Sequence, residues 1–289
     1  LLHEAENAGV PMVLANARLS ARSQAKGERL RALMHPALAR FSAVLAQTAP
    51  DAERLAASGA RMLQVLGNLK FDMTPRPELL ARGQRWRAAL GRPVLLAAAT
   101  REGEEGPLLR AFADAVNAMT PPLPLLLLVP RHPQRFDEVA VGISAAGFVP
   151  SRRSQWAGEP DGLALAADVW LGDSLGEMPA YYAAADSALL GGSFAPLGGQ
   201  NLIEAAACGC PLVMGPHTFN FAQAAEDALA AGAAERVADI DAGVQRALAI
   251  AMEADASLRA DRVQRARAFA EQHRGAAGRM AQAVLALMR

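Results

Sequence analysis

A glycine-rich stretch, residues 191–204, holds residue types that could bind a nucleotide. It reads GGSFAPLGGQNLIE and joins a predicted buried strand, residues 186–190, to a predicted helix, residues 201–208. Glycines let a ligand approach the main chain closely, and the N–H groups at a helix start attract a phosphate. Glu204 has two interpretations. It completes a capping box with Asn201, or its carboxylate accepts hydrogen bonds from the hydroxyls of a ribose.

Polar residues also follow two other predicted strands, residues 125–129 and residues 168–171. They are Pro130 and Arg131 after the first of these strands, and Gly176, Glu177 and Met178 after the second. Because the carboxyl ends of parallel strands share one edge of a sheet, we expect the three loops to converge. A guanidinium can bind a phosphate through two parallel hydrogen bonds, and main-chain groups near a helix start can bind a base. The three loops predict a nucleotide site, although Arg131 on a surface turn is an alternative.

Several common nucleotide sites are absent from the sequence. It contains no G-x-x-x-x-G-K-[ST] motif, which disfavours a P-loop NTPase, and no G-x-G-x-x-G motif follows its first strand, which disfavours NAD. No Asp-x-Asp pair lies at a strand end, so a metal-bridged diphosphate is not indicated. The sequence therefore predicts neither a metal nor a cofactor.

The composition excludes some partners and draws attention to one lysine. The chain has 289 residues, and its 29 Lys and Arg residues balance 29 Asp and Glu residues, so no overall charge attracts nucleic acid. The only lysines are Lys26 and Lys70. A lysine retained in an arginine-dominated chain is a candidate for a chemical role, although a solvated loop lysine is the alternative. The two cysteines, Cys208 and Cys210, suggest no disulfide framework, so a reducing compartment is expected.

Predicted strands alternate with predicted helices along the chain, which is typical of parallel α/β sheets. The predicted strands are residues 10–16, 41–47, 62–65, 93–98, 125–129, 168–171, 186–190 and 211–214, and three helices close the chain. A proline-bearing segment, residues 73–77, indicates a linker between two halves. We expect a remainder of an N-terminal Rossmann-like domain at residues 1–74, a second Rossmann-like domain at residues 75–272, and a C-terminal crossing helix at residues 273–289.

Five motifs in order resemble those of the 3-deoxy-D-manno-octulosonic acid (Kdo) transferases of Gram-negative lipopolysaccharide biosynthesis. They are NARLS at 16–20, GNLKFD at 67–72, VPRHP at 129–133, GSFAPLGGQN at 192–201 and GPHTFNF at 215–221. The resemblance runs from about residue 11 to the C-terminal helices. It implies the GT-B fold, in which two Rossmann-like domains face a cleft and the last helix crosses back to the first domain.

The resemblance also implies an activity and its partners. The enzyme would be an inverting, metal-independent glycosyltransferase that moves Kdo from CMP-Kdo to a lipid A precursor. It would act at the cytoplasmic face of the bacterial inner membrane as a peripheral protein. A nucleotide-sugar epimerase of the same architecture, or a non-catalytic nucleotide-binding remnant, remains an alternative, since fold does not fix function.

The resemblance assigns roles to individual residues. The positions that would contact CMP are Pro130, Arg131, Gly176, Glu177, Met178, Asn201, Leu202, Ile203 and Glu204. Lys70 would stabilise the transition state. Ala205 stands where many relatives have proline after the glutamate, which is a minor departure.

One expected catalytic group has no match in the chain. The family's catalytic base is a glutamate in a glycine-rich loop near the start of the first domain, and no glutamate of this sequence matches it. The sequence begins without a methionine, in residues that read as the tail of a helix. We therefore expect an N-terminally truncated chain with an incomplete first domain, which binds CMP but lacks the base.

Overall fold

The computed structural model describes residues 2–288, which form two compact units. The first unit comprises the residues up to Met73 together with those from Glu271 onward, and the second comprises Thr74–Ala270. In each unit, parallel strands alternate with helices. The predicted α/β class with parallel sheets is confirmed.

The helices and strands follow one another in this order. The first unit contains α1 (Leu2–Asn7), β1 (Val13–Ala17), α2 (Ala21–Gly27), α3 (Arg31–Ala39), β2 (Ala43–Ala46), α4 (Ala49–Ala57) and β3 (Leu63–Val65). The chain then continues through α5 (Pro77–Leu90), β4 (Val94–Thr100), α6 (Glu105–Asn117), β5 (Leu125–Pro130), α7 (Phe136–Ala145), β6 (Pro150–Arg152), α8 (Gly162–Ala166), β7 (Val169–Leu171), α9 (Met178–Ala184), β8 (Ser187–Leu190), α10 (Leu202–Cys208), β9 (Leu212–Met214), α11 (Ala222–Ala230), β10 (Ala234–Arg236), α12 (Ile240–Ala251) and α13 (Ala256–Gln272). The last helix, α14 (Ala276–Ala286), belongs again to the first unit.

The first unit is built on a three-stranded sheet with β2 in the centre. All four residues of β2 are buried, because helices cover both faces of the sheet. On one face Val44 and Ala46 pack with α3 and α4, and on the other Ala43 and Leu45 pack with Ala276 and Met280 of α14. The C-terminal helix thus returns to the first unit, as predicted.

The second unit is built on seven parallel strands in the order β10-β9-β8-β4-β5-β7-β6. From β4 the chain places β5, β6 and β7 on one side, with β7 between β5 and β6. It then crosses back and places β8 on the other side of β4. The strand order therefore reverses between β4 and β8. In sheets of this kind ligands bind at the carboxyl ends of the strands, beside such a reversal.

Parts of the second unit differ from the predicted elements. The helix α5 was not predicted, because Pro77 reads as part of a linker, whereas it is the first residue of this helix, where proline is well tolerated. Neither β6, β10 nor α11 was predicted. Residue 99 does not open a helix as expected, because Ala99 has a φ of 55° and α6 begins only at Glu105. Among residues 2–288, no helix has both the length and the apolar character needed to cross a bilayer.

The packing of α5 on α9 gives a test of the fold. A Cβ atom at Gly83 in α5 would lie 2.0 Å from the backbone oxygen of Ala180, whereas one at Gly142 in α7 would meet nothing within 4 Å. We expect Gly83→Ala to lower the free energy of unfolding by about 1–3 kcal/mol through overpacking. The matched variant Gly142→Ala should raise it by about 0.5–1 kcal/mol, because alanine favours helix. Urea denaturation measures both, and equal effects would contradict the packing.

Candidate functional site

A buried carboxylate joins the loops on either side of the strand reversal. Glu104 follows β4 and is only 5% exposed. Its Oε2 atom accepts hydrogen bonds from the backbone N–H groups of Arg101 (2.9 Å) and Gly192 (2.7 Å). Its Oε1 atom accepts from the N–H groups of Phe194 and Ala195, both at 3.3 Å. Charge-assisted hydrogen bonds of this kind fix the glycine-rich loop against the end of β4.

This arrangement limits what the start of the loop can bind. The N–H groups of Gly192, Phe194 and Ala195 point to Glu104 and are not available to a ligand. Sequence reasoning missed Glu104, which has the ordinary appearance of an acidic residue just before a helix.

The rest of the glycine-rich loop is held by the loop that follows β9. The Ser193 hydroxyl donates to the Leu190 oxygen (2.5 Å) and accepts from the Gly215 N–H group (2.8 Å). The Asn220 side-chain amide donates to the Leu197 oxygen at 3.0 Å. Gly198 has a φ of +89°, and a Cβ atom there would lie 2.5 Å from the Asn220 side chain. The fourth and fifth sequence motifs are thus joined to each other by hydrogen bonds.

Glu204 lies in the first turn of α10. Asn201 caps this helix alone, because its Oδ1 atom accepts from the Ile203 N–H group at 3.2 Å. The half-buried Glu204 carboxylate has no hydrogen-bond partner among residues 2–288, so the reciprocal half of a capping box is not formed. Burial raises the pKa of Glu204 above its usual value. This arrangement leaves the carboxylate oxygens able to accept hydrogen bonds from a ligand.

Glu204, in the first turn of α10, lies close to α9. Burial raises the pKa of Tyr182 in α9, and the nearby Glu204 charge raises it further. The pKa of Cys208, one turn beyond Glu204, is raised to about 12 by burial and by the same charge. Glu204 therefore lies close to α9, the helix that begins at Met178 after the loop following β7.

Arg131 extends from the edge of the sheet at the end of β5. Pro130 is buried as the last residue of the strand, and the Arg131 N–H group donates to the Thr100 oxygen of β4 at 2.9 Å. The Arg131 side chain is exposed, and within residues 2–288 its guanidinium makes no ion pair. A guanidinium in this position can bind an anion such as a phosphate.

The loop between β7 and α9 is anchored through the Glu177 side chain. Its carboxylate accepts hydrogen bonds from Arg82 of α5 (2.5 Å), Arg153 (3.0 Å) and Ser174 (2.5 Å). Burial alone would raise the pKa of Glu177, but these hydrogen bonds outweigh it, and the pKa is lowered. The Glu177 side chain therefore serves as an anchor of this loop, in which Gly176 has a φ of +77° and its oxygen accepts from Arg76 at 3.5 Å.

The three loops lie at one edge, because β5, β7 and β8 are parallel and belong to the same sheet. The strand β4 lies between β8 and β5, and β7 is the other neighbour of β5. The structure thus brings Pro130, Arg131, residues 176–178 and residues 201–204 to the carboxyl end of the second unit's sheet.

Lys70 lies in the first unit, in a 3₁₀ turn formed by Leu69–Asp72. Its side chain is exposed, and its N–H group donates to the Asn68 side chain at 3.0 Å. The turn is anchored on both sides of Lys70. The Leu69 N–H group donates to the Oδ1 atom of Asn16 (3.2 Å), a residue with a φ of 53°. The first two sequence motifs therefore meet at this turn.

The same turn is held by residues near the C-terminus. The ring of Phe71 stacks on that of His273, with centroids 4.6 Å apart. The Asp72 carboxylate accepts hydrogen bonds from the N–H groups of Gly275 and Ala277, both at 2.5 Å. The returning C-terminal segment thus fixes the backbone that carries Lys70.

Comparison with known proteins relates the chain to one family. The family model described as 3-deoxy-D-manno-octulosonic-acid transferase matches residues 1–73. The chain is 49% identical over 281 residues to the 3-deoxy-D-manno-octulosonic acid transferase of Bordetella pertussis, covering 96% of this chain and 64% of the relative. The chain is thus similar to a Kdo transferase over nearly its whole length, and the resemblance seen in the sequence is confirmed.

Other relatives and structures agree with this assignment. The Haemophilus influenzae 3-deoxy-D-manno-octulosonic acid transferase is 37% identical, covering 76% of this chain and 51% of the relative. The chain thus spans less than two thirds of both curated relatives. The C-terminal CMP-Kdo binding domain of WaaA from Acinetobacter baumannii matches with a TM-score of 0.60 and 27% identity, covering 67% of this chain and 98% of that domain. Anabaena HepE, solved with UDP and glucose, matches with a TM-score of 0.57 and 18% identity, covering 99% of this chain and 74% of the HepE chain. The GT-B type of fold is thereby confirmed.

The role of Glu104 can be tested by exchanging its charge for an amide. In Glu104→Gln one of the two carboxylate oxygens is replaced by an amide NH2 group, which cannot accept hydrogen bonds from the N–H groups that it faces. We expect the amides of Gly192, Phe194 and Ala195 to exchange with solvent about tenfold faster or more, since hydrogen bonds to charged groups are the strong ones. Hydrogen exchange measures this directly. The control is Glu102→Gln at an exposed neighbouring position. Equal exchange in the two variants would contradict the role.

Proposed function

We propose that this chain is the donor-binding part of a glycosyltransferase that moves Kdo from CMP-Kdo to a lipid A precursor in lipopolysaccharide core assembly. The observation that carries the proposal is the Glu204 carboxylate, which has no protein partner among residues 2–288 and lies at the same end of the sheet as Arg131 and residues 176–178. The similarity to Kdo transferases and the likeness to a CMP-Kdo binding domain support it.

The proposed CMP site uses each loop for a different part of the nucleotide. The Arg131 guanidinium binds the phosphate, and the Glu204 carboxylate accepts hydrogen bonds from the ribose hydroxyls. The main chain of Gly176, Glu177 and Met178 contacts the base. The remaining contacts come from Pro130 and from Asn201, Leu202 and Ile203 at the start of α10. Apart from that of Ile203, which donates to the Asn201 side chain, the N–H groups of the first turn of a helix have no acceptor within the helix, which suits an anionic ligand.

Lys70 is proposed to act on the transition state. Negative charge grows on the CMP phosphate as the sugar leaves, and an ammonium group held on a fixed backbone offsets this charge. The transfer would be inverting and independent of a metal.

We propose a separate role for each of three parts of the chain. Residues 1–74 belong to the acceptor-side domain, residues 75–272 to the CMP-sugar-binding domain, and residues 273–289 to the crossing helix. No glutamate of this chain matches the family's catalytic base, so we expect residues 1–289 alone to bind CMP without transferring Kdo. The whole enzyme would be a peripheral protein on the cytoplasmic face of the bacterial inner membrane, with no nucleic-acid partner.

Glu204→Gln tests the nucleotide site. Loss of a charge-assisted hydrogen bond to the ribose should weaken CMP binding about tenfold or more, measured by calorimetry. The same variant should melt at a higher temperature at pH 7. The folded-state pKa of Glu204 is raised by burial, so ionisation of this carboxyl destabilises the fold above its unfolded pKa of about 4.3. The difference in melting temperature should therefore close as the pH falls below about 4.

Asn201→Ala is the matched control, because it removes the cap of the same helix. It should lower stability by about 0.5–2 kcal/mol at every pH at which the chain stays folded. Unchanged CMP affinity in Glu204→Gln, together with a lower melting temperature, would show that Glu204 is structural.

Lys70→Ala tests the proposed transition-state role in a form of the enzyme that carries out transfer. We expect turnover to fall far more than CMP affinity, because the ammonium acts on charge that develops only during reaction. The control is Lys26→Ala, which removes the other lysine of the chain and should change neither quantity. An equal loss of turnover and CMP affinity in Lys70→Ala would show that Lys70 contacts the nucleotide already before the reaction and does not act specifically on the transition state.

A further inference from the structure

A second arginine, Arg101, lies beside Arg131 at the edge of the second unit's sheet. Thr100 of β4 and Pro130 of β5 are paired in register, and the Arg131 N–H group donates to the Thr100 oxygen at 2.9 Å. Arg101 and Arg131 are each the next residue after this pair. Their main chains are therefore neighbours at the carboxyl end of the sheet, where the nucleotide loops lie.

The backbone of Arg101 is held in an unusual turn. The strand register shifts between Ala98 and Thr100, and Ala99 has a φ of 55°, which is uncommon for a residue with a Cβ atom. The Arg101 N–H group donates to the buried Glu104 carboxylate at 2.9 Å. A sparsely populated backbone conformation persists only where the surrounding structure imposes it, and such positions cluster at functional sites.

The stem of the Arg101 side chain lies against the glycine-rich loop. A Cβ atom at Gly192 would lie 3.5 Å from the Cγ atom of Arg101, so the stem passes over this glycine. The side chain of Arg101 is half-buried. It therefore lies directly beside the reversal of strand order.

The Arg101 side chain makes neither an ion pair nor a hydrogen bond with any of residues 2–288. Two glutamates that follow it are engaged elsewhere: Glu104 accepts from backbone N–H groups, and Glu105 is bound by Arg135 at 2.7 Å. Two positively charged side chains, Arg101 and Arg131, thus start from adjacent positions at the carboxyl end of the sheet, and an anionic ligand there would be attracted to both.

We infer that Arg101 and Arg131 form a paired guanidinium site, in which Arg131 binds the donor phosphate and Arg101 binds the carboxylate of the sugar. This inference rests on the proposed function. In a CMP-linked 2-keto acid sugar, the carboxylate and the phosphate are both attached to the anomeric carbon. Two negative groups separated by a single carbon require two neighbouring cations. The pair would therefore select acidic sugars, since a sugar without a carboxylate leaves Arg101 unpartnered.

The test compares CMP with CMP-Kdo as ligands of the whole chain. We expect Arg101→Gln to weaken CMP-Kdo binding about tenfold or more, while CMP binding changes by less than about threefold. Arg131→Gln should weaken both ligands. Arg101→Lys keeps the charge without the two-pronged donor geometry and should lie between wild type and Arg101→Gln. The matched control is Arg110→Gln, an exposed position on α6, which should change neither ligand.

The outcomes separate this inference from the proposal on which it rests. If wild type binds CMP and CMP-Kdo, and Arg101→Gln changes both affinities equally or neither, the paired site is wrong and the CMP site stands. If wild type binds neither ligand, the proposed function is wrong, and the paired site with it. A melting curve checks that each variant is folded. If Arg101→Gln unfolds, the ratio of the two affinities in Arg101→Lys decides in the same way.

Discussion

The site in the second unit depends on the buried carboxylate of Glu104. A buried charge is costly unless hydrogen bonds satisfy it, and here four backbone N–H groups do so. Three of these groups lie 88 to 91 residues further along the chain. They reach Glu104 only when β4 and β8 are paired, so the glycine-rich loop takes its shape from a long-range contact of the sheet. The N–H groups at the start of the glycine-rich loop are thus bound by an internal carboxylate.

The other parts of the site are positioned from this loop outward. The fixed loop leads into α10 and sets the place of Glu204, whose carboxylate is half-buried and has no partner in the part of the chain that the structure describes. Arg101 is held by the same carboxylate through its N–H group. In the loop between β7 and α9, by contrast, the Glu177 carboxylate accepts three hydrogen bonds from protein groups and anchors the loop. Two glutamates that look alike in the sequence therefore have different roles.

The sequence predicted the elements whose pattern is local. The run LLLLV of β5 is apolar on both faces and reads directly as a buried parallel strand, and Asn201 was recognised as the cap of α10. The short, partly exposed strand β6 lacks such a pattern, and Pro77 concealed the start of α5. Glu104 could not be found, since its partners are distant in sequence. Arg131 and Glu204 could be predicted as site residues because each follows a strand end in a recognisable motif, and both stay predictions. The position of Arg101 became visible only from the register of β4 and β5.

The central claim is that CMP binds at the carboxyl end of the second unit's sheet. Amide hydrogen exchange of the whole chain, measured with and without CMP, tests it most directly. The amides of Gly192, Phe194 and Ala195 already donate to Glu104, so they should change little. The account predicts that CMP slows exchange in residues 176–178 and 201–204. Protection confined to residues before Met73, or no protection anywhere in the second unit, would contradict it.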